Sequence, residues 1–267
     1  GVSDPIGDLA DTVHVKSDQA EFRDYFRKWF VGILPALLDD TVVNHELLVL
    51  IGEQGLYKTT WFNFLLPPEL RCYFYTKTNS DRLNKDDLFS LTEFALICFE
   101  ELDGMRPAEL NQLKAMVTMP YVNERAAYGR NKERHPHIAS FCGTGNNVQF
   151  LTDPTGNRRW LPFEVSQIRD PYLHAIPYEL VYSQAYALWK SGFCHWFSQE
   201  EIRKLNMHNS RFEVPNLEED LIRTHFRNPF EGEAGIFVTA ADILEQISSC
   251  LRYPLSPNKI GRIMAGL

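Results

Sequence analysis

The chain has 267 residues, of which 44% are apolar, 23% charged and 13% aromatic, and its formal net charge is −8. This composition is typical of a folded, water-soluble domain and excludes a disordered or low-complexity chain. Because no apolar run approaches the roughly 18–20 residues that a membrane helix needs, we expect no membrane partner. The acidic average excludes a protein that coats nucleic acid with its whole surface.

The five cysteines are scattered along the chain, and none belongs to a CxxC pair. This pattern argues against a disulfide framework and against a zinc knuckle. The first residues show no basic segment followed by an apolar one, so we expect no signal peptide. Both observations predict a reduced, cytoplasmic setting.

The first predicted element is an amphipathic helix over residues 18–38. Its apolar side chains recur at spacings of three and four, which places them on one helical face; they are Phe22, Tyr25, Phe26, Trp29, Phe30 and Ile33. A continuous apolar run at 46–51 then predicts a strand buried on both faces, as in a parallel sheet. A glycine-containing loop and a helical pattern over 59–66 follow, so the order is that of a βαβ unit.

Further strands alternate with helical patterns and predict an α/β sheet. The strands are expected at 72–75, 95–99, 138–142 and 160–165, and a helix at 107–117. Residues 121–137 are typical of an exposed hairpin that turns at Gly129. Acid-rich helices follow over 198–227. The last segment, 236–267, predicts two helices joined by a short turn, which is compatible with a winged-helix or helix-turn-helix module.

The loop after the first buried strand resembles a phosphate-binding loop, G-x-x-x-x-G-K-[ST], and reads GEQGLYKTT over residues 52–60. In such loops backbone N–H groups point at the β-phosphate. We predict that ATP is bound by Gly52, Gly55, Tyr57, Lys58, Thr59 and Thr60. The Lys58 amine would reach the β- and γ-phosphates, and the Thr59 hydroxyl would bind Mg²⁺. Tyr57 departs from the pattern, which has glycine at this place.

Two adjacent acids follow the apolar strand at 95–99. This arrangement is typical of a Walker B motif, in which Glu100 would hold Mg²⁺ and Glu101 would orient the attacking water. Adjacent residues of a strand point to opposite faces, so Glu101 serves this role only if it lies at the strand end. We expect these acids to form the second half of the nucleotide site.

Two more polar segments follow strands or turns. Asn146 follows the strand at 138–142. AAA-type ATPases have at this position the sensor residue, which hydrogen-bonds the γ-phosphate or the attacking water. Arg158 and Arg159 follow a turn, and arginine suits the stabilisation of charge on a transferring phosphoryl group. Each segment also has a structural interpretation: asparagine after glycine is a usual turn residue, and surface arginines pair with carboxylates.

A local excess of positive charge interrupts the acidic average. Between Arg125 and Arg159 there are six cations and two acids. The hairpin part of this stretch carries an aromatic ring among its cations, as single-strand binding surfaces do. We predict DNA-binding side chains at Arg125, Tyr128, Arg130, Lys132 and Arg134; the alternative is a solvated turn.

The order of GEQG, FEELDGM, RAAYGR, GTGN and DPTGNRRW, at short spacings over about residues 20–165, resembles the virulence-associated protein E family. These are phage- and plasmid-type replication proteins related to superfamily 3 helicases and primase–helicases. The resemblance implies an AAA-type P-loop NTPase core that forms a homo-oligomeric ring, a hexamer, and moves along single-stranded DNA. It also implies that Arg158 or Arg159 is an arginine finger and that the basic hairpin enters the central pore.

We therefore predict an ATP- and Mg²⁺-dependent DNA helicase or translocase. Its segments would be a helical N-terminal flank at 1–40, the P-loop ATPase core at 41–197 and a mostly helical region at 198–267. Two alternatives stay open. The first is a nucleotide-binding scaffold that hydrolyses ATP poorly. It is favoured by Tyr57, which replaces the usual glycine, and by Glu100, which replaces the more frequent aspartate. The C-terminal helix pair favours a DNA-binding regulator with a degenerate phosphate loop.

Overall fold

The computed structural model describes residues 3–78, 85–124, 133–152, 157–227, 229–230, 232–248 and 257–266. The chain divides into two compact units, Gly1–Glu213 and Val214–Leu267. The described strands are β1 Val13–Val15, β2 Leu47–Ile51, β3 Phe74–Lys77, β4 Leu96–Phe99, β5 Tyr121–Glu124, β6 Glu133–Pro136, β7 Ser140–Gly145 and β8 Trp160–Ile168. The described helices are α1 Pro5–Ala10, α2 Gln19–Leu38, α3 Lys58–Phe64, α4 Lys85–Glu93, α5 Pro107–Val117, α6 Tyr178–Lys190, α7 Gln199–Asn209, α8 Leu217–His225, α9 Ala240–Ser248 and α10 Pro257–Gly266.

Six strands of the first unit form one sheet in the order β1-β8-β2-β7-β4-β3. The five strands from β8 to β3 are parallel, and β1 joins the edge antiparallel to β8. The prediction of an α/β fold with a mostly parallel sheet is therefore confirmed. Strands β5 and β6 form a separate antiparallel pair, as the hairpin pattern predicted.

The central strand β2 shows why its sequence is apolar throughout. Successive side chains of a strand point to opposite faces, so both faces need a covering layer. Leu48 and Leu50 belong to a core that includes the aromatic face of α2. The alternate residues Leu47 and Val49 belong to a second core that includes residues of α5. The sheet is therefore covered on both sides, and polar side chains can gather only at its edges and strand ends.

Most predicted elements occur with shifted bounds. The strand predicted at 72–75 is β3, which starts at Phe74 because Pro68–Tyr73 forms a 3-10 helix. The strand predicted at 138–142 is β7, which begins two residues later and continues to Gly145. Four described elements had no counterpart in the prediction: α1, β1, α4 and α6. The segments α1, β1 and α4 are short and carry little periodicity of their own, whereas α6 has 13 residues with an amphipathic pattern that the prediction missed.

The two compact units differ from the three segments predicted at 1–40, 41–197 and 198–267. The N-terminal helices do not stand apart, because α2 supplies a large part of one sheet core. Residues after 197 also belong to the first unit. Leu205 of α7 is buried in the same core, and the Asn209 side-chain amide donates hydrogen bonds to the carbonyls of Asn157 (2.8 Å) and Trp160 (3.0 Å).

The second unit contains α8, α9 and α10, which share a small apolar core of Ile222, Ile243, Ile247 and Ile260. A helix pair at its C-terminal end agrees with the predicted pattern, and its assignment as a winged helix stays a prediction. Among the residues that the structure describes, no helix combines the length and apolarity that crossing a bilayer requires. The described cysteines, Cys72, Cys98, Cys142 and Cys194, are free thiols.

Candidate functional site

The loop between β2 and α3 has an unusual backbone. Gly55 has φ of 88°, and Tyr57, directly before the helix, has φ of 60°. A left-handed conformation is uncommon for a bulky side chain and costs about 1 kcal/mol or more relative to glycine. The loop thus keeps at Tyr57 the conformation for which glycine is best suited, although the glycine of the motif is replaced.

The Lys58 side chain is buried beneath this loop, with 8% of its surface exposed. Its amine donates hydrogen bonds to the carbonyls of Gly52 (2.6 Å) and Glu53 (2.7 Å), and it lies 3.4 Å from the Asn146 Oδ1 atom. Burial lowers the pKa of the Lys58 amine, and the Asp103 carboxylate opposes that shift. The Lys58 amine and the Asn146 side-chain amide therefore lie next to each other, although they come from different strand ends.

The two adjacent acids lie at the end of β4, next to the loop. The Thr59 hydroxyl donates a 2.7 Å hydrogen bond to Glu100 Oε1, so the two predicted Mg²⁺ ligands are in contact. Glu101 has φ of 53° and lies immediately before the 3-10 turn Leu102–Gly104. Glu101 therefore lies beyond the end of the strand, as the predicted role of orienting the attacking water requires.

Asp103 is a residue that sequence reasoning missed. Its two carboxylate oxygens accept hydrogen bonds from the backbone N–H groups of Asn146 (3.1 Å) and Asn147 (3.0 Å). A Cβ atom on Gly145 would lie 2.9 Å from Asp103 Oδ1, so a larger residue here would have to displace that carboxylate. Asp103 thereby orients the tip of β7 toward Lys58. The available signal was a third acid, followed by glycine, just after the Glu100–Glu101 pair.

These residues enclose an open cavity of about 440 Å³. It lies where β2, β4 and β7 end, which is the usual place for ligands of open α/β sheets. Its volume is within the range of small-molecule sites. The lining residues are Gln54, Gly55, Leu56, Tyr57, Lys58, Thr59, Thr60, Glu100, Glu101, Thr144, Gly145 and Asn146. The structure brings all but three of the predicted nucleotide, metal and catalytic residues to this lining.

Gly52 lies at the start of the loop and contributes the carbonyl that holds Lys58. Arg158 and Arg159 lie elsewhere. They belong to the 3-10 turn that precedes β8, and Trp160 pairs in register with Leu47 at the start of the parallel strand β2. The arginines are therefore at the opposite edge of the sheet, about five strand residues or roughly 16 Å from the loop edge.

The two arginines line a second cavity of about 350 Å³, together with His45, Glu46 and Trp196. Burial raises the pKa of Glu46 to about 7. Burial and the neighbouring Arg158 lower the pKa of the Arg159 guanidinium. Since this edge faces away from the loop, the arginines cannot serve the nucleotide cavity of their own chain.

The model of the virulence-associated protein E-like domain matches residues 4–214, which is most of the chain. The chain belongs to the virulence-associated protein E-like family. No curated protein matches it. A structure of the apo C-terminal region of NrS-1 aligns with 14% identity, a TM-score of 0.46, and coverage of 85% of this chain and 52% of the other. Its A form aligns with 13% identity, a TM-score of 0.48, and coverage of 83% and 54%. The chain spans about half the length of these structures.

The hairpin of this virulence-associated protein E-like chain is described only at its base. Asn123 of β5 pairs with Arg134 of β6, and the Arg134 guanidinium lies 3.3 Å from the centre of the Tyr121 ring. The other predicted DNA-binding residues, Arg125, Tyr128, Arg130 and Lys132, lie outside the described residues. The base of the hairpin thus presents a cation stacked on an aromatic face, a combination that suits a nucleic-acid surface.

Proposed function

We propose that this chain is the ATPase core of a phage- or plasmid-type replication protein that hydrolyses ATP with Mg²⁺ and moves on single-stranded DNA. One observation carries the proposal: Lys58, the Thr59–Glu100 pair, Glu101 and Asn146 come from three separate strand ends and line one cavity. The order of these motifs and the family membership support the same function.

The residues suit a triphosphate and its metal. The Lys58 amine is held by two carbonyl oxygens, which a γ-phosphate can replace as its partner. The Thr59 hydroxyl and the Glu100 carboxylate are adjacent oxygen donors of the kind that Mg²⁺ prefers, and would hold it. When bound, Mg²⁺ neutralises charge on the β- and γ-phosphate oxygens.

The remaining polar groups would act on the attacking water. The Glu101 carboxylate would accept a hydrogen bond from the water and orient it toward the γ-phosphorus atom. The Asn146 side-chain amide would donate to the γ-phosphate while Asp103 holds its backbone in place. The cavity therefore separates phosphate binding, at Lys58, from water orientation, at Glu101.

We expect Glu101→Gln to lower ATP hydrolysis about 100-fold and to leave ATP affinity within about twofold, because the amide keeps the shape but loses the basic oxygen. Steady-state phosphate release and equilibrium ATP binding measure the two quantities. Glu179→Gln, at the start of α6, is the matched control. Hydrolysis at the wild-type rate in Glu101→Gln would remove the water-orienting role.

The proposed assembly is a homo-oligomeric ring, a hexamer by family resemblance. Its support is the position of Arg158 and Arg159, which face away from the nucleotide cavity of the same chain. In a head-to-tail ring, one edge of each chain meets the opposite edge of the next. The arginines could then complete the neighbour's site as arginine fingers.

The proposed DNA track is the basic hairpin. We expect Arg134→Gln to weaken single-stranded DNA binding and to reduce the slope of log affinity against log salt by about 0.7, the value for one phosphate contact on a single strand. Fluorescence anisotropy with an oligonucleotide at several salt concentrations measures both. Arg203→Gln, on the exposed part of α7, is the control. An unchanged slope would show that Arg134 holds no phosphate.

The second candidate function is a nucleotide-binding scaffold that does not hydrolyse ATP. The Tyr57 side chain at the cavity favours it, because a bulky residue stands where the motif has glycine. ATP binding by the wild type without turnover on any DNA would support the scaffold over the motor. A DNA-binding regulator would instead keep its DNA affinity in Arg134→Gln and lose it when residues 214–267 are removed.

A further inference from the structure

Tyr57 connects the nucleotide cavity to a second aromatic side chain. Its ring lines the cavity, and 41% of the side chain is exposed. The hydroxyl lies 3.4 Å from Asp170 Oδ2. The ring meets Tyr172 edge-to-face, with centroids 6.5 Å apart and an interplanar angle of 73°. Tyr57, which stands where the motif has glycine, therefore contacts two residues of the segment that follows β8.

The position of Tyr172 is well defined although 69% of it is exposed. Its ring packs edge-to-face on Phe64 of α3, with centroids 5.1 Å apart. Its backbone N–H donates a 2.9 Å hydrogen bond to Asp170 Oδ1. The Asp170 carboxylate therefore contacts both tyrosines, and the Phe64 ring packs against the Tyr172 ring. An exposed ring that is fixed in this way loses little entropy when a ligand packs against it.

Tyr57 gives the cavity an aromatic side directly beside its phosphate-binding part, and Tyr172 continues that aromatic surface through its contact with Tyr57. Tyr57 precedes Lys58 in sequence, so the aromatic surface begins one residue from the amine that would hold the phosphates. A nucleotide has the same division, with a charged triphosphate at one end and a flat base at the other. Aromatic side chains bind bases by stacking on their π-faces, without hydrogen bonds that read base identity, so any preference among bases follows the strength of stacking.

We propose that Tyr57 and Tyr172 form an aromatic platform for the base of the nucleotide whose triphosphate lies at Lys58. Because the two rings stand at 73° to each other, the base stacks on one ring and meets the other at its edge. This inference rests on the proposed function and extends it to the choice of nucleotide. Stacking grows with the area of the base, so the site takes purine nucleoside triphosphates, ATP and GTP alike, in preference to CTP and UTP. Tyr57 then has a positive role that offsets the strain of its left-handed backbone.

The test compares a ligand that has a base with one that has none. Calorimetry on the full chain in Mg²⁺ measures the affinities for ATP and for inorganic tripolyphosphate. We expect Tyr172→Ala to weaken ATP binding about tenfold and to leave tripolyphosphate binding unchanged, because only the ring contact with the base is lost. Tyr172→Phe should bind ATP as the wild type does. Tyr186→Ala removes an exposed tyrosine that packs on Trp189 instead, and it should change neither affinity.

Each contrary result has a distinct meaning. Unchanged ATP affinity in Tyr172→Ala overturns the platform, and so does an equal loss for ATP and tripolyphosphate, which indicates a structural role for the ring. Equal affinities of the wild type for ATP and CTP overturn the purine preference. Failure of the wild type to bind either ligand contradicts the proposed function itself, and the platform with it.

Discussion

Replacing Lys58 with alanine is expected to lower DNA-stimulated ATP hydrolysis at least about 100-fold, as the loss of one charge-stabilising donor does at other sites. The amine is buried and contacts the loop carbonyls and Asn146. Among the described residues that line the cavity there is no second lysine or arginine that could take its place. ATP affinity should fall as well, because the same charge meets the phosphates before and during the reaction. Phosphate release at saturating oligonucleotide and equilibrium ATP binding measure the two effects.

The matched control is Lys204→Ala. Lys204 is exposed on α7, where it forms a surface ion pair with Glu200, so hydrolysis should be unaffected. Since Lys58 also holds the loop through two hydrogen bonds, Lys58→Arg provides a second comparison that keeps the charge. Wild-type hydrolysis rates in Lys58→Ala would contradict the ATPase proposal.

The double replacement of Arg158 and Arg159 by alanine is expected to lower hydrolysis about 1,000-fold, the lower end for loss of an arginine finger. ATP affinity should change much less than hydrolysis, because an arginine finger in the neighbour's site acts mainly on the charge of the transition state. Phosphate release and ATP binding distinguish this result from that of Lys58→Ala. Arg203→Ala, on the exposed face of α7, is the control.

Mixing the two inactive variants tests whether the arginines act between chains. In a mixed ring, a chain with intact Lys58 can lie beside a chain with intact arginines, and that interface has a complete site. For equal amounts of both variants, about a quarter of the interfaces should be complete in a head-to-tail ring. Hydrolysis should therefore recover measurably on mixing. Mixed oligomers without any recovery would show that the arginines do not complete a neighbour's site.

Local sequence was sufficient for the elements whose signal is contiguous. The apolar run at 46–51 predicts a buried strand because burial on both faces leaves a continuous apolar run in the sequence. The spacing in 18–38 predicts an amphipathic helix because burial on one face leaves a periodic pattern. The phosphate loop was predicted for the same reason, since its groups are neighbours along the chain. By contrast, β1 has three residues and depends on pairing with β8, a partner 150 to 155 residues away, so its own sequence carries little signal.

The sequence by itself determined the α/β class, the family and the contiguous motifs that surround Lys58 and Glu100. Only the tertiary structure decided which motifs share a cavity. It brought Asp103 against the backbone of Asn146, set Tyr57 against Tyr172, and placed Arg158 and Arg159 at the other edge of the sheet. The physical reason is that strand order and direction assign each strand end to an edge, and these depend on pairing between distant segments rather than on local pattern.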